Sequence, residues 1–197
     1  MPKTVELFFD YGSPTSYLAY VQMKGLAQRT GAHIVYKPFL LGGVYQATSN
    51  HSPMEIPAKA KWMIGDLQFF ARRYGVPFQH NSHFPINTLN LMRGAAYAQR
   101  EGFLEAYSNA VFHAMWVDGK NMGDPKVVEQ VLRDAGLPAG QIMEATQDAA
   151  VKDLLKKATE EANARGLFGA PTLFVGDRMF FGQDRVQFLE EYLMEQP

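Results

Sequence analysis

The alternation of apolar and polar residues predicts a strand, a helix and a second strand at the N-terminal end of the chain. Residues 4–9 form a short β-prone run that stops at Asp10-Tyr11-Gly12, a sequence typical of a turn. Ser13-Pro14 is typical of a helix N-terminus, and the helix that follows is predicted to end near Gly31. Residues 33–39 predict a second strand, which we expect to be parallel to the first and joined to it by a right-handed crossover.

The C-terminal end of the chain predicts a hairpin followed by a helix. The apolar runs 171–175 and 178–181 are separated by Gly176-Asp177, a typical two-residue hairpin turn. We expect Asp184 to cap the last helix. The inner face of this helix is predicted to contain Phe188, Leu189, Tyr192 and Leu193.

The segments between these two ends have helical spacing almost throughout. Helices are predicted around residues 63–74, 89–102, 104–115, 125–136 and 151–166. Structureless loops longer than about 15 residues are rare in compact domains, so we expect residues 41–149 to pack as a helical subdomain. The few strands must then share one four-stranded sheet, which gives an α/β fold with a large all-helical insertion.

Charge and composition exclude several classes of function. Nineteen Lys and Arg balance 20 Asp and Glu, which argues against nucleic-acid binding and against binding to an anionic membrane. The sequence has no cysteine, so it has no disulfide, thiolate metal site or cysteine nucleophile. His80 and His83 lack a carboxylate partner, and we expect no metal site. We find neither a secretory signal pattern nor a membrane-spanning apolar run, so the protein is expected to be soluble and cytoplasmic.

Two motifs at opposite ends of the chain resemble one family. They are residues 8–19, FFDYGSPTSYLA, and residues 168–177, FGAPTLFVGD, the latter followed by FGQDR at 181–185. Together they resemble the DsbA-like branch of the thioredoxin fold that holds 2-hydroxychromene-2-carboxylate isomerases and kappa-class glutathione transferases, and the resemblance runs the full length. It implies a discontinuous thioredoxin-like domain of residues 1–40 and 150–197, with residues 41–149 inserted. The chain departs from the family at Gly12, where many relatives have leucine.

The resemblance implies a site that borrows its sulfur from bound glutathione. Ser13 lies where thioredoxin-like oxidoreductases have their first cysteine, and its hydroxyl is expected to point at the glutathione sulfur. A helix N-terminus stabilises an anion and lowers the pKa of a thiol, which fits this role. From the residues alone, however, Ser13 could simply cap the helix.

Further glutathione contacts are implied by matching positions. Asn50 and Lys59 resemble family residues that hold glutathione or lie beside the substrate. Pro171 matches a proline that is cis in the thioredoxin fold, so that Ala170 would pair its backbone N–H and C=O with glutathione. Pro171 could equally be an ordinary loop proline that begins an edge strand. The segment Gln183-Asp184 would receive the γ-glutamyl ammonium and carboxylate groups, in addition to any capping role of Asp184.

These expectations lead to three functional hypotheses. The first is a glutathione-dependent isomerase that interconverts 2-hydroxychromene-2-carboxylate and trans-o-hydroxybenzylidenepyruvate, or a related small aromatic compound. The second is a kappa-like glutathione transferase, and the third is a non-enzymatic thioredoxin-like binding module. The resemblance also implies a homodimer.

Overall fold

The computed structural model describes residues 3–195, and four strands form one mixed sheet in it. The spatial order is β2-β1-β3-β4, with β1 parallel to β2 and antiparallel to β3, and β3 antiparallel to β4. This confirms the predicted parallel unit, the predicted hairpin and their union in one thioredoxin-like sheet. The strands are β1 Thr4–Phe9, β2 His33–Pro38, β3 Thr172–Val175 and β4 Arg178–Phe181.

Helices occupy most of the remaining chain. Those predicted between residues 63 and 166 are found, whereas α2 and α7 were not predicted. Both are short, and the glycine pair 42–43 at the start of α2 weakens its helical pattern. The helices are α1 Pro14–Thr30, α2 Leu41–Thr48, α3 Pro57–Tyr74, α4 Leu89–Arg100, α5 Leu104–Trp116, α6 Pro125–Asp134, α7 Ala139–Ala145, α8 Ala149–Ala164 and α9 Val186–Glu195. Short 3₁₀ turns cover Pro53–Glu55 and Gln183–Arg185. No helix of residues 3–195 is long and apolar enough to cross a membrane.

The predicted cap of the last helix is wrong. Asp184 lies inside the 3₁₀ turn Gln183–Arg185, which follows Gly182 at a φ of 106°. The helix α9 therefore begins at Val186, and its buried face also differs from the predicted one. Phe188 is 42 % exposed and does not belong to that face. The buried side chains of α9 are Val186, Leu189 and Leu193, while Tyr192 is partly buried.

Side chains on the two faces of β1 enter different apolar clusters. Leu7 and Phe9 point into the large cluster, which also contains buried side chains of α1, α4 and α5. Phe8 points to the opposite face, where it packs with Phe39 and Phe174. Helices α4 and α5 of the region 41–149 therefore cover one face of the sheet, while Val44 of α2 packs in the cluster on the other face. The division of the chain at residues 40 and 150 stays a prediction.

Replacing Gly94 with alanine is expected to destabilise the packing of α4 against α5. A Cβ at Gly94 would overlap the hydroxyl of Tyr107, which donates a hydrogen bond of 2.9 Å to the Leu91 carbonyl. Overpacking of this kind lowers the free energy of unfolding by about 1–3 kcal/mol, which urea denaturation would measure. Gly65→Ala is the matched control, since Gly65 is helical and exposed with open space around it, and this change is expected to stabilise α3 by up to about 1 kcal/mol. Equal effects of the two substitutions would contradict the packing described here.

Candidate functional site

Ser13 lies at the junction of the loop after β1 and the first turn of α1. Its side chain caps α1, because Oγ accepts a hydrogen bond from the Ser16 N–H at 3.1 Å. The same hydroxyl donates to the carbonyl of Ala170 at 3.1 Å and lies 2.8 Å from Thr15 Oγ1. Ser13 is only 6 % exposed. The capping interpretation is thus confirmed, and the hydroxyl also joins α1 to the segment that precedes β3.

The segment before β3 presents backbone groups beside this hydroxyl. The Ala170–Pro171 peptide bond is cis, and the Pro171 carbonyl accepts a hydrogen bond of 3.0 Å from the Gly182 N–H. Within residues 3–195, the N–H groups of Ala170 and Thr15 donate to no other residue. Since Thr15 is at the start of α1, its free N–H belongs to the positive end of the helix dipole. This combination of a hydroxyl and unpaired N–H groups favours an anion.

Asn50 contacts the same segment at Phe168, two residues before Ala170. Its side-chain Nδ2 donates to the Phe168 carbonyl at 2.7 Å, and its Oδ1 accepts from the His51 N–H at 2.9 Å. Asn50 also borders an open cleft of about 500 Å³ along α2. Other residues that line this cleft are Tyr45, Gln46, Ser49 and Glu55.

Gln183 and Asp184 differ in their surroundings. Gln183 is buried, and its Oε1 accepts a hydrogen bond of 2.5 Å from the Tyr74 hydroxyl. Asp184 keeps 40 % of its side chain exposed and pairs with Arg185 at 3.1 Å. The Gly182 N–H bond to Pro171 ties this turn to the segment that contains Ala170.

Asp66 and Tyr74 of α3 lie close enough to Asp184 to be affected by its charge. Burial raises the pKa of the Asp66 carboxyl, and the neighbouring charge of Asp184 raises it further. Burial and the charge of Asp184 likewise raise the pKa of Tyr74 to about 12. The sequence analysis assigned no site role to either α3 residue, because their proximity to Asp184 depends on how α3 packs. Arg185, which pairs with Asp184, offsets part of this negative charge.

Lys59 is the candidate that the structure does not join to the others. It is exposed in the first turn of α3, and its ammonium forms no hydrogen bond or ion pair with another residue in the described range 3–195. Ser13, Ala170, Pro171 and Asn50 are connected by the contacts given above, and Gln183 and Asp184 are linked to them through Gly182.

Asp10 is a buried residue beside the candidate site, and the sequence analysis interpreted it only as part of a turn. Its carboxylate accepts hydrogen bonds from the Gly12 N–H at 2.9 Å, the Thr88 hydroxyl at 2.8 Å and the Leu41 N–H at 2.9 Å. Asp10 is 2 % exposed, and this burial raises the pKa of its carboxyl despite the three hydrogen bonds, which lower it. The Gly12 contact is a local signal of an Asx turn, but the partners on α2 and before α4 are too distant in sequence to predict.

The helices of the region 41–149 hold the loop that ends at Ser13. The indole N–H of Trp116 donates to the Tyr11 carbonyl at 2.8 Å, and the Tyr11 hydroxyl lies 2.8 Å from Ser108 Oγ. A Cβ on Gly12 would lie 3.1 Å from Cγ2 of Thr88, so Thr88 packs into space that a larger side chain would need. The absence of a side chain at Gly12 is therefore matched by the close approach of Thr88.

Comparison with known proteins agrees with this architecture. The family description "DSBA-like thioredoxin domain" matches residues 4–194. A curated 2-hydroxychromene-2-carboxylate isomerase from Sphingobium xenophagum is 36 % identical over 197 residues, covering 99 % of this chain and 100 % of that protein. Glutathione S-transferase kappa 2 from Caenorhabditis elegans is 29 % identical, covering 98 % and 92 % of the two chains. A solved 2-hydroxychromene-2-carboxylate isomerase superposes with a TM-score of 0.88 at 30 % identity, covering 97 % and 94 % of the two chains.

The chain belongs to the DsbA-like thioredoxin family and, within it, to the group of 2-hydroxychromene-2-carboxylate isomerases and kappa-class glutathione transferases. This confirms the family and the fold that the two motifs implied.

Proposed function

We propose that the protein is a glutathione-dependent isomerase that interconverts 2-hydroxychromene-2-carboxylate and trans-o-hydroxybenzylidenepyruvate or a related aromatic compound. The observation that carries this proposal is the Ser13 hydroxyl at the N-terminus of α1, next to the unpaired N–H groups of Thr15 and Ala170. Relatives that are named as isomerases of this kind support the reaction class.

The residues around Ser13 and Asp184 fit the backbone and the γ-glutamyl end of glutathione. The half-buried Ala170 has a free N–H for a peptide carbonyl. Its own carbonyl oxygen lies 3.1 Å from the hydroxyls of both Ser13 and Thr15, and it would accept a peptide N–H once the Ser13 proton turns to the sulfur. The exposed carboxylate of Asp184, with Asp66 close by, would attract the γ-glutamyl ammonium. Asn50 would contact glutathione beside the Phe168 carbonyl that it now binds.

Bound glutathione would supply a thiolate that adds reversibly to the conjugated carbon of the substrate, so that a double bond becomes single, rotates and re-forms. The chain itself would hold that sulfur as an anion. The Ser13 hydroxyl would donate a hydrogen bond to the sulfur, and the N-terminal end of the α1 dipole would stabilise its charge. Lys59 or Asn50 would anchor the pyruvate carboxylate, with the cleft along α2 open to the aromatic part of the substrate.

The test of this reaction is conversion of purified 2-hydroxychromene-2-carboxylate, followed with and without glutathione. The proposal expects the trans product only when glutathione is present, with glutathione recovered unchanged. A stable conjugate formed from an electrophilic aromatic halide, without isomerisation, would instead support a kappa-like transferase, which the kappa relatives make the second candidate. A non-enzymatic binding module would neither isomerise the substrate nor form a conjugate.

Glutathione is expected to stabilise the folded protein. A ligand that binds only the folded state at about 100 times its dissociation constant adds about 2.7 kcal/mol to the free energy of unfolding, and thermal unfolding would detect this. The control ligand is the tripeptide γ-Glu-Ala-Gly, which lacks the sulfur and should stabilise less at equal concentration. If the unfolding curve is the same with and without glutathione, the proposal that glutathione is the cofactor is contradicted.

A homodimer and a cytoplasmic location complete the proposal. The large side chains of Trp62 and Phe69 on α3 are 67 % and 51 % exposed in the single chain, and exposed apolar patches often mark protein interfaces. Light scattering would support the dimer by giving twice the chain mass. A glutathione-dependent enzyme also requires a compartment that holds reduced glutathione, as the cytosol does.

A further inference from the structure

Three oxygen atoms at the start of α1 form a closed triangle of hydrogen-bonding distances. Ser13 Oγ and Thr15 Oγ1 are 2.8 Å apart, and each lies 3.1 Å from the carbonyl oxygen of Ala170. Thr15 is half-buried.

The triangle has three edges but only two hydroxyl protons. A carbonyl oxygen supplies none, so one edge is always without a hydrogen bond. If Ser13 turns its proton toward a bound sulfur, Thr15 holds the only hydroxyl proton left for the Ala170 carbonyl. Ser13 Oγ would still accept the Ser16 N–H, so its cap on α1 is unaffected by the change.

We infer that Thr15 is a positioning residue. Its hydroxyl donates a hydrogen bond to the Ala170 carbonyl, so that the Ser13 hydroxyl is free to donate its proton to the glutathione sulfur. This inference rests on the proposed function. Without the Thr15 hydroxyl, the carbonyl and the sulfur compete for the single proton of Ser13. The hydrogen bond to the thiolate then weakens, and the pKa of the bound thiol rises.

The test is the pKa of the glutathione thiol in the complex, followed by the ultraviolet absorbance of the thiolate as the pH is raised. Thr15→Val replaces the hydroxyl by a methyl group of similar shape and is expected to raise this pKa by about 0.5–1, a 3- to 10-fold change in proton affinity. Thr15→Ser keeps the hydroxyl and should restore the wild-type value. Thr30→Val removes a hydroxyl from the other end of α1 and should leave the thiol pKa unchanged.

The rate profile gives a second measure. In Thr15→Val the loss of kcat/KM should be 3- to 10-fold at low pH and should vanish once the pH exceeds the thiol pKa of both proteins. If Thr15→Val binds glutathione with an unchanged thiol pKa, the role of Thr15 is overturned while the proposed function stands. The same conclusion follows if Thr15→Ser shifts the thiol pKa as much as Thr15→Val does. Absence of glutathione binding by the wild-type protein would overturn the proposed function, and the inference about Thr15 with it.

Discussion

Ser13→Ala is expected to lower turnover more than tenfold while glutathione affinity changes only a few-fold. The hydroxyl is the side-chain donor that we assign to the sulfur, and a hydrogen bond to a charged group contributes about 1.5–3 kcal/mol, equivalent to about a 10- to 150-fold change in rate. Affinity should change less, because the backbone of Ala170 and the carboxylate of Asp184 would still bind the tripeptide. Steady-state kinetics and calorimetry measure the two quantities separately.

The capping role of Ser13 must be separated from its role toward sulfur. Alanine also removes the cap of α1, which costs about 1 kcal/mol of stability, whereas glycine at the same position costs only a few tenths. Ser13→Ala and Ser13→Gly should therefore differ in stability but lose similar turnover. Ser52→Ala, which removes a cap from the 3₁₀ turn Pro53–Glu55, is the control for cap loss elsewhere. Full turnover in Ser13→Ala would exclude Ser13 from the reaction.

Asp10→Ala is expected to have the largest effect on stability. Its removal leaves three donors without their acceptor, on Gly12, Leu41 and Thr88, in a buried place. A buried group left unpaired costs about 1–3 kcal/mol, so the free energy of unfolding should fall by at least about 3 kcal/mol in urea denaturation. Asp177→Ala, in the exposed hairpin turn, should change it little. Similar losses in the two variants would show that the Asp10 carboxylate does not hold these segments together.

The pH dependence of stability tests the environment of Asp10 independently. Because burial raises the pKa of its carboxyl above 3.8, the folded state binds the proton more tightly than the unfolded state. The unfolded state therefore loses its proton first as the pH rises, and the stability of the wild type should fall between the ordinary and the raised pKa. Measured relative to Asp10→Asn, which cannot titrate, the wild type should lose stability across this window. A relative gain with rising pH would contradict the burial argument.

Short sequence patterns were sufficient to predict those helices and strands whose ends depend on neighbouring residues. The Ser13-Pro14 pair marks the start of α1, and Gly31, at a φ of 69°, ends it. Gly176-Asp177 likewise marks the hairpin that was found between β3 and β4. Prediction failed at α9, because the 3₁₀ turn that includes Asp184 follows from how Gly182 meets Pro171 rather than from the helix itself.

The grouping of the candidate residues could be predicted as far as the two motifs reach. Ser13, Ala170 and Pro171 lie in those motifs and are joined in the structure. The partners of Asp10 could not be predicted, since Leu41 and Thr88 are 31 and 78 residues away along the chain. The hydrogen bond from Trp116 to Tyr11 spans 105 residues and depends on the packing of α5 against the loop. Long-range contacts of this kind hold the loop before Ser13, and no local pattern encodes them.

The central claim is that the sulfur of glutathione lies against the Ser13 hydroxyl. A crystal structure of the protein soaked with glutathione measures this directly. The account predicts the sulfur within hydrogen-bonding distance of Ser13 Oγ, with the cysteinyl backbone paired to Ala170. A sulfur that lies away from Ser13, or crystals that take up no glutathione at a saturating concentration, would contradict it.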